Sequence, residues 1–488
     1  MTSAKLGVFL CLVVLGRAAL AQDRTERLMA EALKPSPLAQ NLEQLTDRIG
    51  GRVPGTPAIE KAIEWGVEAF HAAGADQVHT ENFTIPASWS EGATAMNVVA
   101  PETFPVRVVS LAWAPALAPH RHVPIVDLGD GTPETFASAG NLSGAILLVH
   151  SGEMQTWDDL FAEYLRTAGV VDRALRGNAL AVAFQSTRPR DLLYRHTNSV
   201  DGTMDRIPMV LVAREDAARM ARLIGSGQKL YADLAIPNRV GGAIQAANVV
   251  AEVRGEERPE EFVVLGAHLD SWDLGTGALD NGCNAALVID ALRAVKASGL
   301  RPKRSIRFIL FSGEEEGLLG SHAYVVAHRA ELDKAAGVVI FDEGTGQVTG
   351  FSLGGRKDLL PAAGKLVTRF GQFGAATLTT DAMLGTDHFD FMLEGVPTFV
   401  ANQQEANYLI NYHAMSDTFD KVDLAQLKKH VAEAVGLTFG VADFPERIGP
   451  RLTRSQIEQT LKETHLDEQM KIFGMWPAWQ QGKLGRSE

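Results

Sequence analysis

The apolar positions of the chain fall into two textures. From Asn248 onward, short continuous apolar runs alternate with longer segments whose apolar residues recur at helical spacing. "EFVVLGAHLD", "SIRFILFSG", "AAGVVIFDEG" and "GVPTFVAN" have strand length, and "NAALVIDALRAVKAS", "LLGSHAYVVAHR" and "LLPAAGKLVTRFG" between them carry the helical period. Runs that are apolar throughout, rather than at alternate positions, belong to strands buried on both faces. The pattern therefore predicts an α/β fold, a central β-sheet flanked by helices on both faces.

Between about residues 105 and 242 the texture changes. Short runs such as "VRVVSLAW", "VPIVDLG", "GAILLVH" and "IPMVLVA" alternate with turn residues, and "REDAARMARLIGSG" reads as a helix, which predicts a separate, mostly-β module. Residues 25–75 read as two amphipathic segments broken at "GGRVPGTP". Past Phe444 the chain turns polar, and "SQIEQTLKETHLDEQMKIFG" reads as one amphipathic helix. The resulting division is 1–21 as a signal peptide, 22–104 and 243–445 as the two parts of a main domain, 105–242 as an insert and 446–488 as a helical tail.

Composition sharpens this picture in three ways. The chain has 488 residues, 46% hydrophobic, enough for a large core, and its formal net charge of −13 is dispersed rather than gathered in tails. That balance excludes nucleic acid as a partner. At the amino terminus Lys5, the apolar "LGVFLCLVVLG" and the "ALA" of Ala19 to Ala21 form the three parts of a secretory signal, which predicts a secreted or periplasmic protein. No later stretch is long and apolar enough for a membrane span. Of the two cysteines, Cys11 leaves with the signal, so Cys283 is unpaired and, among the small residues of "DNGCNAA", is expected to be a packed thiol.

The candidate chemistry lies where apolar strands give way to glycine-rich turns. One strand ends in His268 and Asp270, and the turn "GALDNG" follows with Asp280. The next strand runs into Glu314, Glu315 and Glu316, a third ends in Asp342, and a later loop holds His413. The carboxyl ends of strands are where open α/β sheets bind ligands. Three adjacent glutamates beside a buried strand repel one another unless a cation joins them. Two histidines and several carboxylates suit zinc. Two histidines, two terminal carboxylates and one bridging carboxylate would hold two metals roughly 3.5–4 Å apart, leaving one carboxylate as general base. Asp270 is placed to return toward the His268 imidazole as its hydrogen-bond acceptor.

The motifs "VLGAHLDSWDLGTGALDNGCNAA", "PKRSIRFILFSGEEEGLLGS", "IFDEGTG" and "YHAMSDTFDKVD" resemble the co-catalytic di-zinc aminopeptidase and glutamate carboxypeptidase family over residues 25–445. The likeness is greatest to its plasma glutamate carboxypeptidase (carboxypeptidase Q) branch. The resemblance implies the zinc exopeptidase fold, with a mixed central sheet, and a protease-associated domain as the mostly-β insert. It implies two Zn2+ per chain, with His268 and Asp342 on one, Glu315 and His413 on the other, and Asp280 bridging. Glu314 is then the general base and Asp270 the residue that orients His268. Tyr412, Asp387 and His388 are implied as substrate contacts, and a homodimer is a further implication. Glu316 is expected to face solvent or to cap the helix beginning at "GLLGS".

The activity this implies is hydrolysis of dipeptides or short peptides from a free amino terminus. Two alternatives remain open at the level of the sequence: a carboxypeptidase acting on glutamate-bearing peptides, and a metal-free, receptor-like binding protein on the same scaffold. Glutaminyl cyclisation, which uses this fold with a single zinc, is disfavoured by the full five-ligand set.

Overall fold

The structure is a computed structural model that describes residues 24–487; the expected signal peptide at 1–21 lies outside the described residues. Eight strands form the main sheet: β1 (Gln77–Ile85), β2 (Ile244–Val253), β3 (Arg258–His268), β4 (Arg304–Phe311), β5 (Ala335–Ile340), β6 (Val348–Ser352), β7 (Thr377–Thr379) and β8 (Thr398–Gln403). Their spatial order is β1-β2-β4-β3-β5-β8-β6-β7. The central strands β4, β3, β5 and β8 run parallel, while β1, β2 and β6 pair antiparallel to a neighbour, so the sheet is mixed.

The continuous apolar runs do what the pattern predicts. In β3 and β4, Val263, Leu265, Ala267, Ile306, Phe308 and Leu310 pack on one face with the helices Pro57–Ala73, Cys283–Ser298 and Leu424–Asp443. The alternate residues Phe262, Val264, Ile309 and Phe311 pack on the other face with Tyr324 and Val325 of the helix Leu319–Ala327 and with Phe391. Successive side chains of a strand point to opposite faces, so a two-sided core requires apolar residues at every position.

A second sheet of eight strands is built from residues 95–236. It is more helical than the sequence reading of a mostly-β module. The helix Trp157–Arg176 spans 20 residues, opens with a capping box from Thr156 and Asp159, and buries Leu160, Thr167, Val170, Val171 and Ala174. The carboxyl-terminal segment also departs from expectation. One continuous helix was expected; the structure has two, Arg454–Glu463 and Leu466–Ile472, broken at His465, whose φ is +59°. The first is closed by a Thr453–Gln456 capping box, and the break lets Ile457, Leu461, Leu466 and Met470 share one apolar cluster with Trp479. Among the described residues no helix is long and apolar enough to cross a membrane.

Leu265 is fully buried at the centre of β3, facing the helix layer. Leu265→Ala is expected to cost about 2–5 kcal/mol, read as a lowered midpoint in denaturant unfolding at unchanged slope.

Candidate active site

The register of the parallel strands places the chemistry. Gly266 of β3 lies opposite Ile340 of β5, so His268 and Asp342, each two residues further on, end at the same level. His268 itself lies opposite Phe311 of β4, which delivers Glu314 and Glu315 one short turn later. Asp280 comes from the loop ahead of the helix Cys283–Ser298, and the peptide after it is cis. His413 arrives from the loop after β8 with a φ of +59°, a left-handed conformation unusual for a non-glycine residue.

These side chains converge. The Nε2 atom of His268 lies 3.0 Å from Asp342 Oδ1, 3.3 Å from Asp280 Oδ1 and 3.9 Å from Glu314 Oε2. The Nε2 atom of His413 lies 2.9 Å from Glu315 Oε2 and 3.3 Å from Asp280 Oδ2. Asp280 thus turns one carboxylate oxygen toward each imidazole. The opposite ring nitrogens are both spoken for: Nδ1 of His268 donates to the Asp270 carbonyl at 3.1 Å, and Nδ1 of His413 to the Arg195 carbonyl at 3.1 Å. A carbonyl oxygen only accepts, so in a neutral imidazole each Nε2 presents a lone pair to the carboxylates. Lone pairs facing lone pairs in a buried site call for a cation, and this donor set fits zinc. Asp280 Oδ2 and Glu315 Oε1 are buried without a hydrogen-bond partner, as ligand atoms would be. His268, Asp280 and Glu315 each offer one atom within 4.8 Å of the others, a grouping compact enough for a metal ion.

The surrounding residues hold the geometry. Asp417 accepts from the amides of Ala278, Leu279 and Asp280 at 3.1, 2.7 and 3.1 Å, fixing the loop that carries Asp280. Arg52, fully buried, donates to the carbonyls of Leu269, Gly50, Thr276 and Gly277 and pins the chain between His268 and Asp280. Asn281 donates to Asp342 Oδ1 at 2.7 Å. Asp270 acts on His268 through its backbone rather than as the sequence suggested. Its carboxylate is 3.7 Å from the ring nitrogen and instead accepts from the Glu315 amide at 3.1 Å.

Electrostatics follows from the burial of many like charges. Burial lowers the His413 imidazole, but Glu315 and Asp280 overcome it and push it up to about 9. Burial raises the Asp280 carboxyl, yet its contacts with His268 and His413 hold it below the ordinary carboxylate range. Burial pushes Glu315 up to about 7 against the pull of His413. It pushes Glu314 well above its ordinary value; His268 opposes this, and Asp342, Glu315 and Asp387 reinforce it. Glu316 overturns its expectation. It neither faces solvent nor caps a helix: it is fully buried, both carboxylate oxygens lack a hydrogen-bond partner, and the helix begins only at Leu319. Burial, then Asp270 and Glu315, push its carboxyl well upward, toward a neutral acid inside the core. Cys283 is fully buried, and burial raises its thiol well above the usual range, so it is a packing residue.

The constellation opens into a cavity of about 440 Å³. Its walls come from several places: Trp157, Phe161 and Tyr164 of the long helix, the loop at 197–200, the loop at 383–386, the end of β8 with the segment after it, and Gln469, Phe473 and Met475 of the carboxyl-terminal segment. Tyr412 also lines it; its hydroxyl shares a 2.8 Å hydrogen bond with that of Tyr164, and its ring stacks on His413 at 3.6 Å. Asp387 and His388 are not among the lining residues; both are fully buried behind the wall, whereas their neighbours Gly385 and Thr386 line it. Sequence reasoning missed Asp417, Arg52, Arg195 and Tyr164. Only Asp417 left a signal, in the "HAMSDT" run that also carries His413.

Two outcomes are expected. The neutral imidazole is the ligating form, and His413 is raised to about 9. Metal binding at neutral pH therefore releases protons, and affinity rises as the pH is raised toward about 9 and falls as it is lowered. Calorimetry of zinc binding in buffers of different ionisation enthalpy reads both effects. Asp417→Ala frees three amides next to Asp280 and is expected to weaken zinc binding about 10- to 100-fold, by competition with a chelator.

Residues 248–438 match Peptidase family M28. Over 411 residues the chain is 29% identical to carboxypeptidase Q of Mus musculus, covering 84% of this chain and 86% of the relative. The crystal structure of a peptidase M28 precursor from Shewanella amazonensis SB2B superposes with a TM-score of 0.81 at 25% identity, covering 89% of this chain and all of that one. A zinc aminopeptidase from Bacillus subtilis shares the fold at a TM-score of 0.66 and 18% identity, covering 86% of this chain and 97% of that one. His268, Asp280, Glu314, Glu315, Asp342 and His413 all fall inside the segment that matches peptidase family M28, and the chain is a zinc-dependent metallopeptidase similar to members of that family.

Proposed function

We propose that this chain is an exported di-zinc exopeptidase that hydrolyses dipeptides or short peptides from a free amino terminus. The observation that carries the reading is the divided carboxylate of Asp280, with Oδ1 3.3 Å from His268 and Oδ2 3.3 Å from His413. One carboxylate serving two imidazole–carboxylate pairs is the arrangement expected for two metals. His268 and Asp342 would hold one zinc, His413 and Glu315 the other, and Asp280 both. When bound, the pair supplies a water acidified toward neutral pH and a positive field for the oxyanion of the tetrahedral intermediate.

The chain's own groups do the rest. Glu314 lines the cavity beside the constellation, 3.9 Å from His268 Nε2, and is not needed to complete either ligand set. Its raised carboxyl takes a proton from the attacking water and returns it to the leaving amine, the two transfers that peptide hydrolysis needs. The His268 and His413 tautomers are set by backbone carbonyls, so both rings are oriented before substrate arrives. Tyr412 and Tyr164, tied hydroxyl to hydroxyl, form one side of the substrate cleft.

The relatives named carboxypeptidase Q raise the second reading, recognition of a substrate carboxylate. The cleft favours the amino-terminal reading, because no lysine or arginine is among the residues that line it. A carboxy-terminal carboxylate would find no basic side chain there. The signal sequence at 1–21 supports secretion or a periplasmic location. The segment at about 105–242 is read as a protease-associated insert, and residues of it line one wall of the cleft.

Glu314→Gln keeps the shape of the side chain and removes its base. The variant is expected to retain zinc at the wild-type level and to lose about 100-fold or more in kcat on dipeptides, with KM little changed. Dipeptide turnover within a few-fold of wild type would refute the assignment of Glu314.

A further inference from the structure

One residue from the part of the chain that builds the second sheet reaches two of the loops that carry the constellation. Tyr194 pairs antiparallel with Ala414, and the Met415 amide donates to the Leu193 carbonyl at 3.1 Å. Beside these contacts Arg195 and His413 close a ring of two hydrogen bonds. The Arg195 amide donates to the His413 carbonyl at 2.9 Å, and the Arg195 carbonyl accepts from His413 Nδ1 at 3.1 Å. Backbone and imidazole of His413 are thus held by the same residue. The φ of +59° at His413 costs a non-glycine residue free energy and persists only where the surroundings enforce it.

The side chain of Arg195 is the anchor. It is 1% exposed, and all three of its guanidinium nitrogens donate. Nη2 donates to Glu91 Oε2 at 2.7 Å, Nε to Asp273 Oδ1 at 2.9 Å, and Nη1 to the Ser110 carbonyl. The guanidinium also lies 5.1 Å from the centroid of the buried Trp89 ring. Glu91 is fixed in turn by the Ser110 amide at 2.6 Å. Asp273 belongs to the loop between His268 and Asp280. Arg195 therefore grips that loop with its side chain and His413 with its backbone, and Asp280 and His413 meet at 3.3 Å. A desolvated guanidinium between two carboxylates adds little net stability over apolar packing. What it adds is direction, because a planar fork with three acceptors in place fixes the backbone that bears it.

We infer that Arg195 is a positioning residue of the metal centre, and that its anchor governs metal affinity at the half formed by His413 and Glu315. The half formed by His268 and Asp342 is left to the main sheet, where the Asp270 carbonyl orients His268. The inference rests on the two-metal reading and deepens it, by giving the segment at 193–197 a part in the centre. Arg195 acts through His413 and is not a catalytic residue.

The test measures zinc affinity by chelator competition in wild type, Arg195→Lys, Arg195→Met and Leu148→Ala, with the unfolding midpoint of each. Leu148 is fully buried in an apolar cluster of the second sheet that contains neither Arg195 nor His413, so its truncation controls for destabilisation alone. Wild type is expected to bind zinc in two steps. In Arg195→Met one step weakens about 10- to 100-fold and the other stays within about twofold. Arg195→Lys keeps the charge without the fork, and its weakened step changes by more than about twofold but less than in Arg195→Met. Anomalous diffraction on Arg195→Lys crystals at limiting zinc places the retained metal beside His268 and Asp342. Leu148→Ala lowers the midpoint and keeps both steps within about twofold of wild type. The inference is overturned if both steps weaken equally in the Arg195 variants, if neither changes beyond about twofold, if the retained metal lies beside His413, or if Leu148→Ala reproduces the selective loss. Should Arg195→Met not fold, Arg195→Lys decides by the same comparison. If wild type shows a single step, the two-metal reading itself fails. The inference is then judged on that step: weakening beyond about twofold in Arg195→Lys but not in Leu148→Ala supports it, and unchanged affinity overturns it.

Discussion

The carboxylate of Asp280, held between two imidazoles in a buried site, is the constraint around which the structure is arranged. Four carboxylates and two histidines meet at the ends of three parallel strands, and even two imidazolium charges would leave the group negative. Such a concentration of charge inside a fold is tolerable only with cations or protons to offset it. Much of the local structure prepares for that. Asp417 fixes the backbone carrying Asp280 through three amides, Arg52 ties down the loop from His268, and each histidine is turned by a carbonyl so that Nε2 faces inward.

The scaffold supplies the precision. The parallel register between β3 and β5 brings His268 and Asp342 level, and the pairing of His268 with Phe311 sets where the glutamates emerge. Burial on both faces makes these strands rigid platforms, since the helix layers on either side pack against alternate residues. The second sheet is not a bystander. It contributes the carbonyl that orients His413, the Tyr164 hydroxyl that meets Tyr412, and an ion pair of 2.9 Å from Arg195 to Asp273 beside the active loop. The cavity is thereby lined from both parts of the molecule and from the carboxyl-terminal segment, while the His/carboxylate constellation stays on the main sheet.

What could be read from the sequence was whatever depends on local pattern. Unbroken apolar runs announced the buried strands, and the polar residues that ended them announced the site, because a carboxylate directly after such a run has few structural reasons to be there. The ordered motifs then supplied the roles that spacing leaves open. What could not be read depends on contacts between distant segments. Glu316 looked like a solvent-facing neighbour of Glu315, but the turn before Leu319 folds it inward. The helix Trp157–Arg176 carries apolar residues at helical spacing, yet they sit among charges that blurred its apolar face. The expected tail helix breaks at His465 because its apolar residues pack with Trp479 from further along the chain. Asp387 and His388 carried suitable chemistry, but the loop turns Gly385 and Thr386 to the cavity in their place.

The central claim is that Asp280 is shared by two metals. Anomalous diffraction at the zinc edge, on crystals of zinc-loaded protein, tests it directly. The account predicts two full peaks roughly 3.5–4 Å apart, one beside His268 and Asp342 and the other beside His413 and Glu315, with the Asp280 carboxylate between them. A single peak, or two that do not share Asp280, would contradict it.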